Sequence, residues 1–162
     1  MSVTFQSIRF GVVEIDDEDV IEFPLGLIGL GGLRYTLLDR NPGSGFLWLH
    51  AVDEPALALP VVSPFQFFAG FSLEIAPEDR ERTGLEDVSG ATLYVTVRAT
   101  PNPLDITANL RAPLVILEGI GYQVLNTSED APLQAPLFTL HAGLSPVQGG
   151  PAEGDAQPQI AS

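Results

Sequence analysis

Residues 23–35 read FPLGLIGLGGLRY, with Gly26, Gly29, Gly31 and Gly32 set among leucines. A glycine run between apolar segments is either a phosphate cradle that opens a helix or a turn between strands, and the two belong to different fold classes. A P-loop needs a lysine to reach the β- and γ-phosphates, and this chain contains no lysine. The dinucleotide fingerprint G-x-G-x-x-G is not matched by the spacing, and the following LRYTLLD reads as a strand rather than as the helix whose N-terminus holds a pyrophosphate. The glycines are therefore turn residues that permit positive φ, introduced by Pro24 after a short strand.

Working outward from this turn, period-two alternation dominates. In ATLYVTVRA (91–99), Leu93, Val95 and Val97 point one way and Thr92, Tyr94, Thr96 and Arg98 the other, the pattern of a strand with one buried face. Similar runs are VTFQSIRF, VVEI, VIEF, FLWLHAV, LALPVVS, FSLEI, ITANLRA, LVILE and YQVL, punctuated by Gly, Pro, Asn and Asp. The chain is thus expected to be all-β, a small, partly open barrel of many short strands with one or two short surface helices. PEDRERTG (77–84) carries the helical signals: Pro77 at the start, Glu78 and Asp79 in the first turn, Gly84 as the stop. One domain is expected over 1–140, followed by a disordered Pro/Gly-rich tail over 141–162.

Composition removes several function classes. The absence of cysteine excludes disulfides, zinc thiolates, iron–sulfur clusters and cysteine nucleophiles, and no apolar run is long enough for a membrane span. Without a leader-like N-terminus the expected location is cytoplasmic. The formal net charge of −14, with arginine as the only basic residue type besides two histidines, opposes binding to a phosphate backbone and favours encounter with a basic protein.

Individual residues divide between site and scaffold. The run Asp16, Asp17, Glu18, Asp19 lacks the alternate ligands and central glycine of a calcium loop, so it reads as a solvated loop that adds to an acidic docking face. His50, near Asp53 and Glu54, has the residue types of a base or metal ligand, but it shares a strand face with Phe46 and Trp48 and reads more simply as a packed histidine. The aromatics of SPFQFFAGF (63–71), with Phe46 and Trp48, are expected in the core, any exposed one serving as an interface anchor. In PNPLDITANLRAPLVILE (101–118), Ile106, Ala108, Leu110 and Ala112 are expected to face the core and Thr107, Asn109 and Arg111 to face outward. Asn126-Thr127-Ser128 is a glycosylation sequon without secretory context.

In order along the chain, FGVVEIDDEDVIEFPLGLIGLGGLRYTLL, FLWLHAVDEPALALPVVSPFQFF, ITANLRAPLVIL and a closing PLF resemble the FliW family of flagellar assembly factors, over about residues 5 to 138. The resemblance implies a small β-barrel without catalytic activity or cofactor. It further implies a protein that binds the RNA-binding translational regulator CsrA, relieves its repression of flagellin synthesis, and also binds flagellin. By position the family motif falls on Thr107, Ala108, Asn109, Leu110 and Pro113; the candidate partner-binding set is Thr107, Asn109, Leu110, Arg111, Phe46, Trp48, Asp17 and Glu18. Leu117 and Glu118 depart from the asparagine that commonly follows the family's I-V-I run. Two alternatives remain at this stage, a ligand-binding β-domain using the aromatic block and a carboxylate- or metal-dependent hydrolase using His50, Asp53 and Glu54.

Overall fold

A computed structural model describes residues 1–30, 33–85 and 88–138. The chain opens with an antiparallel hairpin of β1 (Ser2–Ser7) and β2 (Gly11–Asp16). A 3₁₀ turn at Asp17–Asp19 leads into β3 (Ile21–Glu22), followed by β4 (Arg34–Leu38), β5 (Phe46–Ala51) and β6 (Ala58–Val62). Two short helices come next, α1 (Pro64–Phe67) and α2 (Pro77–Thr83), then β7 (Thr92–Arg98) and β8 (Thr107–Ala108). The described chain ends with β9 (Leu114–Leu117), β10 (Ile120–Gln123) and β11 (Ala135–Pro136).

Strands β7-β6-β5-β4-β3-β10-β9 are successive neighbours, and β9 pairs back onto β7, so these seven close into a barrel. Closure removes the exposed edges that an open sheet would carry. The β10–β3 pair is parallel and the other ladders are antiparallel. Strands β8 and β11 extend from the last residues of β7 as a short flap.

The registers divide the apolar residues into three clusters. One fills the barrel lumen, with Ile21, Phe23, Leu27, Tyr35, Leu49, Ala51, Val61 and Leu114. The largest lies outside the wall formed by β6, β7 and β9, where Val62, Leu93, Val95, Val97 and Val115 pack with Phe71, Ile75, Leu85, Leu110 and Phe138. The third, Phe5, Val13, Leu38 and Val52, joins the β1–β2 hairpin to the outer wall of β4 and β5. The reading of β7 as a strand with one buried face holds: Leu93, Val95 and Val97 are buried in the outer cluster, while Thr92 and Arg98 are exposed and Tyr94, half-buried, packs against the lumen cluster. Alternation marks the two faces of the strand, here one buried and the other only partly covered.

Helix α2 forms where expected. Pro77 occupies its first turn, Glu78 and Asp79 complement the positive end, and Gly84 closes it at φ 74° with its N–H on the Arg80 carbonyl at 2.8 Å. FSLEI (71–75), expected as a strand, makes only an isolated bridge, Ile75 to Asn126. The buried Asn126 side chain takes over the pairing: its Oδ1 accepts the Glu74 N–H at 3.0 Å and its Nδ2 donates to the Ser72 carbonyl at 2.9 Å. ITANLRA is strand only at Thr107–Ala108, although Ile106, Ala108, Leu110 and Ala112 are all buried as expected. The ladder ends because the Asn109 side chain accepts the N–H groups of Arg111 and Ala112 at 3.0 and 3.2 Å, which turns the chain. The tail over 141–162, with His141, lies outside the described residues.

Candidate functional site

Antiparallel order puts the end of β3, the start of β4, the end of β5, the start of β6 and the end of β7 at one mouth of the barrel. The connection containing FPLGLIGLGGL lies at this mouth. Phe23 and Leu27 are buried in the lumen, the Phe23 ring edge-on to Tyr35 at 5.4 Å, while Ile28 and Leu30 are 63% and 37% exposed. Gln123, at the end of β10, ties the connection down: its Oε1 accepts the Ile28 N–H at 2.8 Å and its Nε2 donates to the Ala112 carbonyl at 3.0 Å. Gly26 and Gly29 are thus turn residues, as read, at φ 72° and 77°, while Gly31 and Gly32 lie outside the described residues; the described part of the stretch is also a lip that presents leucine and isoleucine to solvent.

Beside this lip is a groove of about 610 Å³. Leu27, Ile28, Leu30, Leu59, Val97, Leu125 and Leu133 supply its apolar lining, and Arg98, Arg111, Thr107 and Asn109 its polar lining. The groove exists because β6 and β7 part: their ladder contains only Val61–Thr96 and Val62–Val95, and Pro60, the preceding residue, has no N–H to continue it. Beyond that point β7 pairs on its other side with β8, Val97 to Ala108 and Arg98 to Thr107. Contiguous exposed apolar surface of this kind, bordered by polar groups, is the usual form of a protein-binding site.

The eight residues singled out in the sequence are not brought together. Thr107, Asn109 and Arg111 line the groove. Leu110 is buried beneath them, in the outer cluster. Asp17 and Glu18 are exposed on the 3₁₀ turn before β3, at the opposite end of the barrel. Phe46, at the start of β5, also lies at that end and packs edge-on to Phe67 at 5.9 Å. Trp48 belongs to the outer wall, with the Arg9 guanidinium 4.3 Å above its ring and Phe10 edge-on at 5.9 Å. Of the aromatic block Phe71 is buried, Phe67 and Phe68 are half-buried, and Phe65 is 57% exposed. Sequence reasoning missed Ile28, Leu30, Arg98, Gln123, Leu125 and Leu133. The available signal was an excess of large apolar residues in the glycine stretch, more than a turn requires.

His50 is fully buried between β5 and the hairpin, with Nδ1 at 2.8 Å from the Ala51 carbonyl and Nε2 at 2.7 Å from Ser7 Oγ. A carbonyl only accepts, so Nδ1 carries the proton and Nε2 accepts from the serine hydroxyl. Ser7 Oγ in turn accepts the N–H groups of Arg9 and Phe10 at 3.1 and 2.9 Å. The packed reading of His50 is the one observed, with both ring nitrogens engaged, Nδ1 on its own strand and Nε2 on the hairpin. Asp53 is engaged elsewhere, paired with Arg34 at 2.7 Å on the barrel rim. That hydrogen bond holds the Asp53 carboxyl below the usual carboxylate range against the opposing effect of burial, with the guanidinium charge adding to it, and it raises Arg34. Burial pushes the phenols of Tyr35 and Tyr94 up. Among the described residues, no three His, Asp or Glu side chains gather into a possible metal site, and no helix is long and apolar enough to cross a membrane.

This barrel is similar to a crystal structure of the flagellar assembly factor FliW, with a TM-score of 0.74 and 27% identity over 85% of this chain and 98% of that one. The FliW protein family model matches residues 4–137. The chain belongs to the FliW family. A FliW from Alkaliphilus metalliredigens is 39% identical over 113 residues, covering 68% of this chain and 70% of that protein. A FliW from Bdellovibrio bacteriovorus is 34% identical over 134 residues, covering 81% and 77% respectively. Both relatives are named flagellar assembly factors, which is not the name of an enzyme class. The FliW match spans the hairpin, the barrel and the flap, so the residues that line the groove lie within the matched segment.

Proposed function

We propose that this chain is a non-enzymatic flagellar assembly factor that acts in the cytoplasm by binding proteins. Its first partner is CsrA, whose repression of flagellin synthesis it relieves, and its second is flagellin, which displaces CsrA. The observation that carries this reading is the family match over the whole barrel, residues 4–137. The net charge of −14 supports it, since an acidic surface speeds encounter with a basic RNA-binding protein and disfavours RNA itself. The exposed run Asp17–Asp19 contributes to that surface, and the mouth groove offers apolar area for a second contact.

Calorimetric titration with CsrA of the same organism, alone and after saturation with its flagellin, tests the reading. Binding that flagellin abolishes, and that weakens as salt rises, is the expected result. No heat at low salt with folded partners overturns the CsrA part. Neutralising the acidic turn (D17N, E18Q and D19N together) is expected to lower CsrA affinity several-fold at low salt and less at high salt.

A further inference from the structure

We propose that the gap between β6 and the end of β7 accepts an extended segment of a partner protein as an added strand, the segment being apolar at alternate positions and carrying a carboxylate. This rests on the reading of the chain as a protein-binding factor and specifies the chemistry of one segment that it binds.

The backbone supplies the first argument. The Ala51 N–H donates to the Leu57 carbonyl at 2.9 Å, so Leu57, Leu59 and Val61 direct their peptide groups toward β5. Ala58 and Val62 therefore direct both N–H and carbonyl toward β7, and Pro60 its carbonyl. Val62 finds Val95 there, but Ala58 has no strand opposite it, because the β6–β7 ladder ends at Val61. A half-buried strand with an open hydrogen-bonding side, beside an apolar trough, is the arrangement that strand addition uses.

Side chains supply the second. Leu59 and Val97 form the walls of the gap, and Ile28, Leu125 and Leu133 extend it with apolar surface that is about half exposed or more. An incoming strand has alternate side chains facing this trough, which accounts for the apolar period in the segment.

Charge supplies the third. Arg98 and Arg111 both line the groove of a chain whose net charge is −14. Among the described residues the ion pairs are Arg34–Asp53 and Arg82–Asp79, so neither groove guanidinium has a carboxylate partner. Arg111 uses its Nε on the Ala131 carbonyl at 2.8 Å and keeps its terminal nitrogens for another acceptor. Most of the surface repels a carboxylate, whereas this groove offers it two arginines and the fork geometry that matches it.

The test uses the full chain and a phage-displayed library of short random peptides. Selection on the wild type is expected to enrich apolar sequences containing Asp or Glu. Synthetic copies of the enriched peptides should shift the Ala58 and Val97 amide resonances of ¹⁵N-labelled protein. They should also lose about tenfold or more in affinity toward R98E/R111E, and most of that loss should appear in R98E alone, which leaves the Arg111–Ala131 bond intact. Enrichment of basic peptides overturns the proposal, as does no enrichment over an unrelated acidic protein. So does binding that survives both reversals or leaves Ala58 unshifted. CsrA titration of the wild type is read separately: its failure overturns the functional reading without touching the peptide result, and the reverse also holds.

Discussion

At one end of the barrel, the acidic turn Asp17–Asp19 and the two-residue turn Glu118–Gly119 join strands with short, polar, exposed chain. At the other, the connection from β3 to β4 folds back over the lumen, buries Phe23 and Leu27 and leaves Ile28, Leu30 and Leu33 in solvent. Both ends terminate the same strands, so strand propensity does not distinguish them. The difference is anchoring. A connection pinned by a buried ring and by the amide of Gln123 holds apolar side chains at the surface, where an unpinned one would collapse onto the barrel. The acidic turn is held instead by a polar contact, the buried Thr36 hydroxyl donating to the Asp19 carbonyl at 2.9 Å, and its carboxylates stay in water.

Removing the anchor should break the mouth end most severely. Gly121 faces the lumen, and a Cβ built on it would come within 2.5 Å of the Phe23 ring. The ring is fully buried against Tyr35 and has nowhere to withdraw. Gly121→Ala is expected to cost about 3 kcal/mol, lowering the melting temperature by about 10 °C for a domain of this size, as read by calorimetry. An unchanged melting temperature would show that Phe23 is free to move, and the anchoring account would then fail.

A milder change separates the lip from the barrel. Gln123→Ala removes the acceptor of the Ile28 N–H and the donor to Ala112. These bonds are partly solvated, so the expected cost is about 1 kcal/mol, seen as a lower denaturation midpoint at unchanged m-value. Hydrogen exchange should rise at Ile28 and remain unchanged in the acidic turn. Faster exchange at both ends would mean that Gln123 supports the whole barrel rather than its mouth.

The sequence disclosed the wall of this barrel better than its ends. Alternation located β1, β2, β4, β5, β6, β7, β9 and β10, because strand period survives whichever cluster a face is buried in. It did not show that half-buried Tyr94 packs against a different cluster from buried Leu93, since only topology distinguishes lumen from exterior. FSLEI alternates equally well yet lacks a ladder, because one side chain, Asn126, replaces the strand partner. Thr107, Asn109 and Arg111 were legible as outward-facing residues, and they line the groove. Arg98, Leu59 and Leu125 reach it from distant parts of the chain through the parting of β6 and β7 at Pro60. That parting depends on a missing N–H whose consequence appears only once its neighbour strand is known.

At the acidic end the expected change is a gain. Glu118 lies in the left-handed region at φ 53°, followed by Gly119 at φ 81°, the backbone of a tight hairpin turn between β9 and β10. A non-glycine side chain is strained there, and asparagine tolerates the conformation better than glutamate. Glu118→Asn should raise stability by about 0.5 kcal/mol, measured by urea denaturation, and leave the mouth groove unaffected. A loss of stability would mean that the Glu118 carboxylate makes a contribution larger than the strain.

The smallest effect belongs to the rim pair Arg34–Asp53, whose side chains are 44% and 54% exposed. The hydrogen bond to Arg34 lowers the folded pKa of Asp53 from 3.8. A depressed carboxylate pKa stabilises the folded state at pH above the unfolded value, and that contribution disappears as pH falls through the folded value. Asp53→Asn should therefore cost at most about 0.5 kcal/mol near neutral pH, with the deficit shrinking below 3.8 and in high salt. The comparison has to be made as a difference between variant and wild type. Protonating the other carboxylates of a chain at −14 relieves repulsion in both proteins and changes their absolute stabilities together. A deficit that persists unchanged below the folded pKa would assign the role of Asp53 to the packing of the rim, placing this corner with the anchored mouth rather than with the solvated acidic end.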